Sequence, residues 1–233
     1  MTAVIDGRMP YSAKAKLNEI CEVIELPPFS ALDARVASHP DMLIHILGGR
    51  LFVSADYYNE AKDVIDKIAS CGGLELITTA DRLCASYPLD IAFNLFEINN
   101  SIIGRLDFIS KEIKEYAKSL NISLNNVNQG YAKCSTVALN NAVISADKGI
   151  CDTARSLGAE ALRISSDGVL LDGYGCGFIG GASGVFGDTV YFCGNITKHK
   201  NGLEIVDFCQ SHGYSVISLS DEPLYDVGTI IFI

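Results

Sequence analysis

The chain contains 233 residues, of which 48% are hydrophobic and 20% are charged, and its formal net charge is −10. This composition supplies ample apolar material for a core, while no apolar run approaches the roughly 20 residues of a membrane-spanning helix, so we expect a globular protein without a membrane partner. Nucleic acid is also excluded as a partner, because phosphate binding requires clustered Lys and Arg, and the basic residues of this chain are scattered.

The cysteines indicate the compartment. Eight are spread along the chain, and none forms a Cys-x-x-Cys pair. The N-terminus also lacks the basic, apolar and small-residue series of a signal peptide. We therefore expect reduced thiols in a cytoplasmic protein. A homo-oligomer stays open, since no sequence feature speaks to it.

The predicted elements repeat one order along the chain. A strand at residues 3–9 is followed by a helix at 11–20 and a strand at 21–26. Four longer units come next, each with two strands, a helix and a third strand, at approximately 41–78, 90–127, 133–165 and 176–220. Their first strands are predicted at 41–47, 90–97, 134–139 and 177–183. A last strand, with no helix after it, occupies 226–233.

The two terminal fragments complete one another. Residues 226–233 supply the strand that the fragment at 3–26 lacks, so together they make a fifth unit. A repeat cannot bury its own apolar face, and a ring removes the exposed sheet edges of an open array. The sequence therefore predicts a closed ring of five units, formed by one domain that spans residues 1–233.

Tight turns are predicted between the first two strands of three units. The residues at these places are Gly48-Gly49, Asn99-Asn100 and Asn140-Asn141. Two-residue hairpin turns need positive φ angles, which Gly and Asn tolerate best.

No cofactor and no metal site are predicted. The glycine-rich segment 173–187 lacks both the P-loop ending and the dinucleotide fingerprint. His and Cys also lack the spacing of metal ligands. The segment is expected to allow close approach of backbones, with the framing of a ligand site as the alternative.

The repeat pattern carries a resemblance to a known fold. Five ββαβ units around a pseudo-fivefold axis resemble the pentein architecture, the α/β propeller of the guanidino-group-modifying enzymes, which include arginine and agmatine deiminases and dimethylargininase. Residues 129–135, 175–184 and 223–229 are similar to an uncharacterised bacterial family assigned to that fold. The resemblance implies a five-bladed α/β propeller.

The resemblance does not carry the catalytic residues across. Known enzymes of the superfamily use a cysteine nucleophile on the terminal repeat, a histidine, and paired carboxylates that hold the guanidinium. The terminal strand here offers Gly228 and Thr229 and contains no cysteine. Either the nucleophile has moved to another unit, or the chemistry has been lost.

Candidate site residues follow from the starts of the five first strands. Carboxylates and thiols recur there, at Asp41, Asp90, Cys134, Cys176 and Asp226. If these strand ends face the axis, the side chains converge on one central cavity. The residues four positions after the first two aspartates, His45 and Asn94, are expected on the same strand faces.

The enzyme hypothesis gives these residues roles. Cys134 attacks as a thiolate stabilised by Lys133 or a histidine, His45 moves the proton, and Asp41 orients a cationic group. The residues expected to bind the substrate are Asp90, Asn94, Gln129, Tyr131, Cys176 and Asp226. The reaction would be that of a thiol-dependent amidine or guanidine hydrolase, or of an amidinotransferase.

Each of these residues also has a structural interpretation. An aspartate at the start of a strand commonly accepts backbone hydrogen bonds from the preceding turn, and a buried free cysteine is usually inert. His45 fits a core position, whereas His39 and His199 are predicted in loops as surface residues. The alternative function is therefore a non-catalytic ring that binds a small cationic molecule or a partner protein. The missing terminal cysteine favours the non-catalytic function, whereas the recurring Cys, His and Asp residues favour the enzyme.

Overall fold

The computed structural model describes residues 1–233. Its first half contains β1 (Thr2–Asp6), α1 (Tyr11–Asn18), β2 (Glu22–Leu26), α2 (Pro40–Leu43), β3 (Ile44–Leu47), β4 (Arg50–Ser54), α3 (Ala55–Gly72), β5 (Glu75–Thr79), β6 (Phe96–Ile98), β7 (Ser101–Gly104), α4 (Lys111–Ser119) and β8 (Ser123–Asn126). Its second half contains β9 (Thr136–Ala138), β10 (Ala142–Ser145), α5 (Lys148–Ser156), β11 (Glu160–Arg163), β12 (Val169–Leu170), β13 (Ser183–Phe186), β14 (Thr189–Phe192), α6 (Gly202–Ser211), β15 (Ser215–Ser218), β16 (Leu224–Tyr225) and β17 (Ile231–Phe232). A short 3₁₀ turn, Ile196–Lys198, precedes α6.

Five three-stranded sheets share one topology. In each sheet the middle strand pairs antiparallel with the first strand and parallel with the third, and a helix links the parallel pair. The sheets are β3-β4-β5, β6-β7-β8, β9-β10-β11, β13-β14-β15 and β17-β1-β2. The first strands are neighbours around a centre, since β6 contacts β9, β9 contacts β13, and β13 contacts β17. A two-stranded sheet, β12-β16, was not predicted.

The ring closes through the terminal segments, and this confirms the predicted pairing. Strand β17 runs antiparallel to β1, with Phe232 opposite Ala3. The amide of Thr2 donates to the carbonyl of Ile233 at 2.9 Å, and the amide of Ile233 donates back at 2.9 Å. The sheet β17-β1-β2 therefore contains strands from both ends of the described chain.

The helices lie outside the sheets and bury one face each. In α3, the residues Tyr57, Ala61, Ile65 and Ile68 are buried and belong to the largest apolar cluster. The hydroxyl of Ser54 accepts from the amide of Tyr57 at 3.2 Å and caps this helix. None of the helices combines the length and the apolar character that a membrane span requires.

Two of the three predicted turns have the expected geometry. Gly48 and Gly49 have φ of 53° and 80°, and Asn99 and Asn100 have φ of 48° and 56°. The third pair does not have positive φ, and that prediction was wrong. The hairpin there closes instead with the amide of Leu139 donating to the carbonyl of Ala142 at 2.8 Å.

The first strands are shorter than predicted, and this changes the setting of the candidate residues. Asp41 lies in the short helix α2, which begins at Pro40, a residue favoured at the first helical position. Residues 90–95, 133–135 and 226–230 are irregular segments that lead into their strands. The expected strand faces shared by residues 41 and 45 and by residues 90 and 94 therefore do not exist.

The fourth unit departs furthest from the prediction. A strand was expected at 177–183, but β13 begins only at Ser183. The preceding residues include Gly177, Gly180 and Gly181, and a Cβ on any of these would lie within 2.6 Å of Asp226 or of backbone atoms. This segment packs around the carboxylate instead of extending along a neighbouring strand.

Candidate functional site

Three of the five aligned candidates meet at the centre of the ring. The Sγ of Cys134 lies 3.5 Å from both carboxylate oxygens of Asp226. The hydroxyl of Thr229 donates to Oδ2 of Asp41 at 2.8 Å. An oxygen of Asp41, the Sγ of Cys134 and a ring nitrogen of His39 lie within 4.8 Å of one another. These five buried residues are called the hub below.

The glycine-rich segment covers the hub at backbone distance. Gly181 donates its amide to the carbonyl of Cys134 at 2.7 Å, and its carbonyl accepts from the amide of Thr229 at 2.9 Å. A Cβ on Gly181 would lie 2.0 Å from Oδ1 of Asp226 and 2.6 Å from the Sγ of Cys134. Only glycine fits there without displacing the hub side chains.

Asp226 accepts backbone hydrogen bonds, but not from the turn that precedes it in the chain. Its oxygens accept from the amides of Phe178 at 2.8 Å and Gly228 at 3.0 Å. Burial, followed by the nearby charge of Asp41, raises the pKa of Asp226 to about 7. The carboxyl group is therefore firmly positioned, yet it exchanges its proton near neutral pH.

Asp41 is only partly satisfied. Oδ2 accepts from Thr229, but Oδ1 is buried and has no hydrogen-bond partner. Burial raises the pKa of Asp41 to about 6. No Lys, Arg or His forms an ion pair within 4.0 Å of Asp41 or Asp226, so no side chain of the protein neutralises these two neighbouring carboxyl groups directly.

The thiol of Cys134 is held in its protonated form. Burial is the largest cause, and the charges of Asp226 and Asp41 add to it, so the pKa of Cys134 is raised well above 9.0. In the free protein, Lys133 therefore does not hold Cys134 as a thiolate, and the predicted role of the thiolate in an attack stays a prediction. The negative groups that surround the sulfur outweigh the lysine that precedes it in the chain.

The histidine at the hub is not the predicted one. His39 was expected at the surface, but it is buried, with Nε2 3.7 Å from Oδ2 of Asp6. Burial lowers the pKa of His39 to about 4. His45 lies instead on β3, where burial lowers its pKa to about 3 and its Nε2 has no partner. No hydrogen bond joins His45 to Cys134, whereas a ring nitrogen of His39 lies within 4.8 Å of the thiol.

Asn94 positions the segment that carries the thiol. Its Oδ1 accepts from the amide of Lys133 at 2.8 Å and from the amide of Cys134 at 3.2 Å. Asn94 is fully buried, and its Nδ2 has no partner. Its role in the structure is therefore to hold the turn that places the sulfur.

Asp90, Gln129 and Tyr131 form a separate group. The hydroxyl of Tyr131 donates to Oδ2 of Asp90 at 2.7 Å, and Oε1 of Gln129 accepts from the amide of Tyr131 at 3.1 Å. Burial raises the pKa of Asp90. No hydrogen bond or ion pair connects these residues to the hub carboxylates, so the expected convergence of all three aspartates is not observed.

Cys176 does not reach the centre of the ring. The residue is exposed, and within the glycine-rich segment it lies directly before Gly177, where the chain bends around Asp226. The prediction that it lines a central cavity is therefore wrong, because the first strand of its unit begins seven residues later, at Ser183.

A cavity of about 610 Å³ extends along the centre of the ring. It is called the channel below, and residues of all five first strands line it. One end carries the hairpin turns at Asn99 and Asn140, and Asp41, Lys133 and Thr229 line it at the starts of the strands. The channel therefore touches the hub through Asp41 and Thr229, while Cys134 lies behind them.

Five ββαβ units that close around a channel define a pentein-fold protein. Residues 4–231 match the model described as a family of unknown function (DUF6873), and the chain belongs to that family. No curated protein has a detectably similar sequence.

Solved structures of low sequence identity share the fold. DDAH from Pseudomonas aeruginosa, complexed with citrulline, has 8% identity and a TM-score of 0.55, covering 94% of this chain and 92% of that one. Agmatine deiminase from C. jejuni has 9% identity and a TM-score of 0.55, with 94% and 87% covered. An amidinotransferase of the saxitoxin pathway from Microseira wollei has 11% identity and a TM-score of 0.54, with 94% and 88% covered. The predicted pentein fold is confirmed.

Proposed function

We propose that the hub binds a small organic cation of the amidine or guanidine type and that Cys134 attacks its central carbon. The observation that carries this proposal is the pair of buried carboxyl groups, Asp41 and Asp226, beside a thiol and without a cationic partner. The fold neighbours, which include an amidinotransferase and an agmatine deiminase, support a hydrolase or transferase.

Binding of a cation changes the protonation of the hub. Two buried carboxylates repel one another, and an amidinium placed between them favours their ionised forms. The same positive charge offsets the charges of Asp226 and Asp41, which add to the effect of burial on Cys134, so the pKa of the thiol falls when the substrate is bound. The free protein therefore holds an unreactive thiol, which substrate binding activates.

The reaction proceeds in two balanced steps. The proton of Cys134 passes to Asp226, the sulfur–carbon bond forms, and the bond from that carbon to the leaving amine breaks as the amine takes the proton. Water then attacks the carbon of the S-linked intermediate, the sulfur–carbon bond breaks, and the thiol is restored. Neutral His39, whose pKa is lowered to about 4, accepts one proton from that water and passes it to the departing sulfur, which restores the thiol, and the second proton of the water is taken up by the amine released in the first step.

Site-resolved alkylation tests the proposal. The protein is treated with 2-chloroacetamidine, which is cationic, and with 2-chloroacetamide, its neutral counterpart, and the modification of each cysteine is followed by mass spectrometry. We expect Cys134 to prefer the amidine, relative to the preference of the exposed Cys176 in the same sample. Asp41→Asn reduces this preference, because the variant removes one of the two carboxylates.

The internal comparison corrects for accessibility, since the two reagents have nearly the same size. A chelator is included because His39, Asp41 and Cys134 lie close enough to share a metal ion. Equal reagent preference at Cys134 and Cys176 would contradict the assignment of the nucleophile.

A non-catalytic cation-binding ring is the second candidate. It is favoured by the raised pKa of Cys134 and by the glycine-rich segment that covers the sulfur. Its test is a thermal shift with agmatine in a Cys134→Ala variant, since a ligand that binds only the native state raises the melting temperature. A shift in the variant, together with no amidine preference in the parent, supports binding without chemistry.

A further inference from the structure

The channel contains a lysine that no other group of the protein pairs with. Lys133 lines the cavity and is half-buried. Its ammonium makes no hydrogen bond and no ion pair within 4.0 Å. Burial lowers the pKa of Lys133, and the charges that oppose this are those of Asp41 and Glu97. A half-buried ammonium without a hydrogen-bond or ion-pair partner favours an anionic group of a ligand.

Two further polar atoms in the channel wall have no partner. His45 is 9% exposed and Asp41 is 1% exposed, and both line the cavity. Nε2 of His45 and Oδ1 of Asp41 have no hydrogen-bond partner. Buried polar groups are normally satisfied, so this end of the channel is built to receive polar atoms from another molecule.

The other residues that line the channel indicate which apolar part and which second charge the ligand has. Ile46, Val185 and Phe232 are apolar lining residues, and Glu97 is the one further charged side chain. Glu97 lies on β6, which neighbours the segment of Lys133 and β9 in the ring. A simple anion would face the carboxylate, and a simple cation would face the lysine. A zwitterion satisfies both.

We propose that the channel binds a small zwitterion with an apolar body, such as an aromatic or branched α-amino acid, with its carboxylate on Lys133 and its ammonium on Glu97. The cavity volume of about 610 Å³ lies within the range of roughly 300–1,000 Å³ that is usual for small-molecule sites. This site goes beyond the proposed function, because neither Lys133 nor Glu97 takes part in the chemistry at Cys134.

Isothermal titration with three related probes tests the site. L-Phenylalanine carries both charges, 3-phenylpropanoate lacks the ammonium, and 2-phenylethylamine lacks the carboxylate. We expect phenylalanine to bind and each truncated probe to bind at least tenfold more weakly. Lys133→Met and Glu97→Gln each weaken phenylalanine binding at least tenfold, whereas Lys118→Met, at an exposed helix position, leaves it unchanged.

Several results would overturn the proposal. These are no binding of phenylalanine at millimolar concentration, binding of 2-phenylethylamine as tight as that of phenylalanine, or unchanged affinity in both channel variants. If Lys133→Met fails to fold, the truncated probes and Glu97→Gln still decide. The titration reads binding in the channel and the alkylation assay reads the thiol of Cys134, so the failure of one proposal is distinguishable from the failure of the other.

Discussion

Replacing Asp41 by Asn removes a buried charge from the hub while keeping its hydrogen bond. The amide oxygen can accept from Thr229 in place of Oδ2, and the amide nitrogen takes the place of Oδ1, which has no partner. No native hydrogen bond is lost, so the stability change reports mainly on ionisation.

The stability change expected for Asp41→Asn follows from the pKa of Asp41, which is raised from 3.8 to about 6 in the folded protein. Between these values the native state binds more protons than the unfolded state, so stability present in acid is lost as the pH rises through this window. This rise in the pKa of Asp41 corresponds to about 3 kcal/mol. The Asp41→Asn variant does not lose this stability as the pH rises. For a chain of this length, the corresponding gain in Tm over wild type is roughly 6–12 °C.

The assay is thermal unfolding of wild type and Asp41→Asn at pH 4 and pH 8, with Asp63→Asn, at an exposed helix position, as the matched control. The buried imidazoles of His39 and His45, with lowered pKa values, lose stability in acid in all three proteins, so the difference between variants cancels their contribution. We expect the Tm of Asp41→Asn relative to wild type to rise between pH 4 and pH 8. A Tm difference that does not depend on pH would refute the ionisation argument.

Two further substitutions probe the packing around the hub and the neighbouring buried pair. Gly181→Ala places a Cβ 2.0 Å from Oδ1 of Asp226, so we expect the free energy of unfolding in urea to fall by about 2–5 kcal/mol. The control Gly175→Ala, whose Cβ meets nothing within 4 Å, changes stability little. Equal effects of the two substitutions would show that close approach is not the cause. Tyr131→Phe removes the hydroxyl that donates to Asp90, and we expect it to lower the free energy of unfolding by about 1–3 kcal/mol at pH 8. The loss is smaller in acid, where the carboxyl group of Asp90 is protonated. A larger loss in acid would contradict this expectation.

The sequence was most informative where local rules act alone. The helix predicted at 11–20 is observed as α1, Tyr11–Asn18, and the pairs at Gly48 and Asn99 make the expected turns. The pairing of Phe232 with Ala3 was also predictable, because an unfinished unit at each end has only the other end as a partner. Periodicity and turn chemistry therefore suffice for the order of elements and for the closure of the ring.

The site was predicted less completely, because it depends on how irregular segments bend. The convergence of Asp41, Cys134 and Asp226 followed from their equivalent places in the units. The exposure of Cys176 could not be predicted in this way, because it depends on glycines that pack against the carboxylate of Asp226, which is distant in the sequence. His39 was missed for a similar reason, because a residue before a short helix shows no pattern that predicts its burial. Its neighbour Pro40, favoured at helix starts, was the available signal.

The sheet shared by both ends of the chain has a consequence for biosynthesis. Strand β2 ends at Leu26 and β17 begins at Ile231, so about 200 residues separate the two sides of one sheet, and at roughly 5–20 residues per second the ribosome needs about 10–40 s to make them. During that interval the newly made β1 presents an unpaired edge to other nascent chains. The edge of β1 therefore stays open until β17 has left the ribosome, and a chaperone that shields this edge would act during that interval.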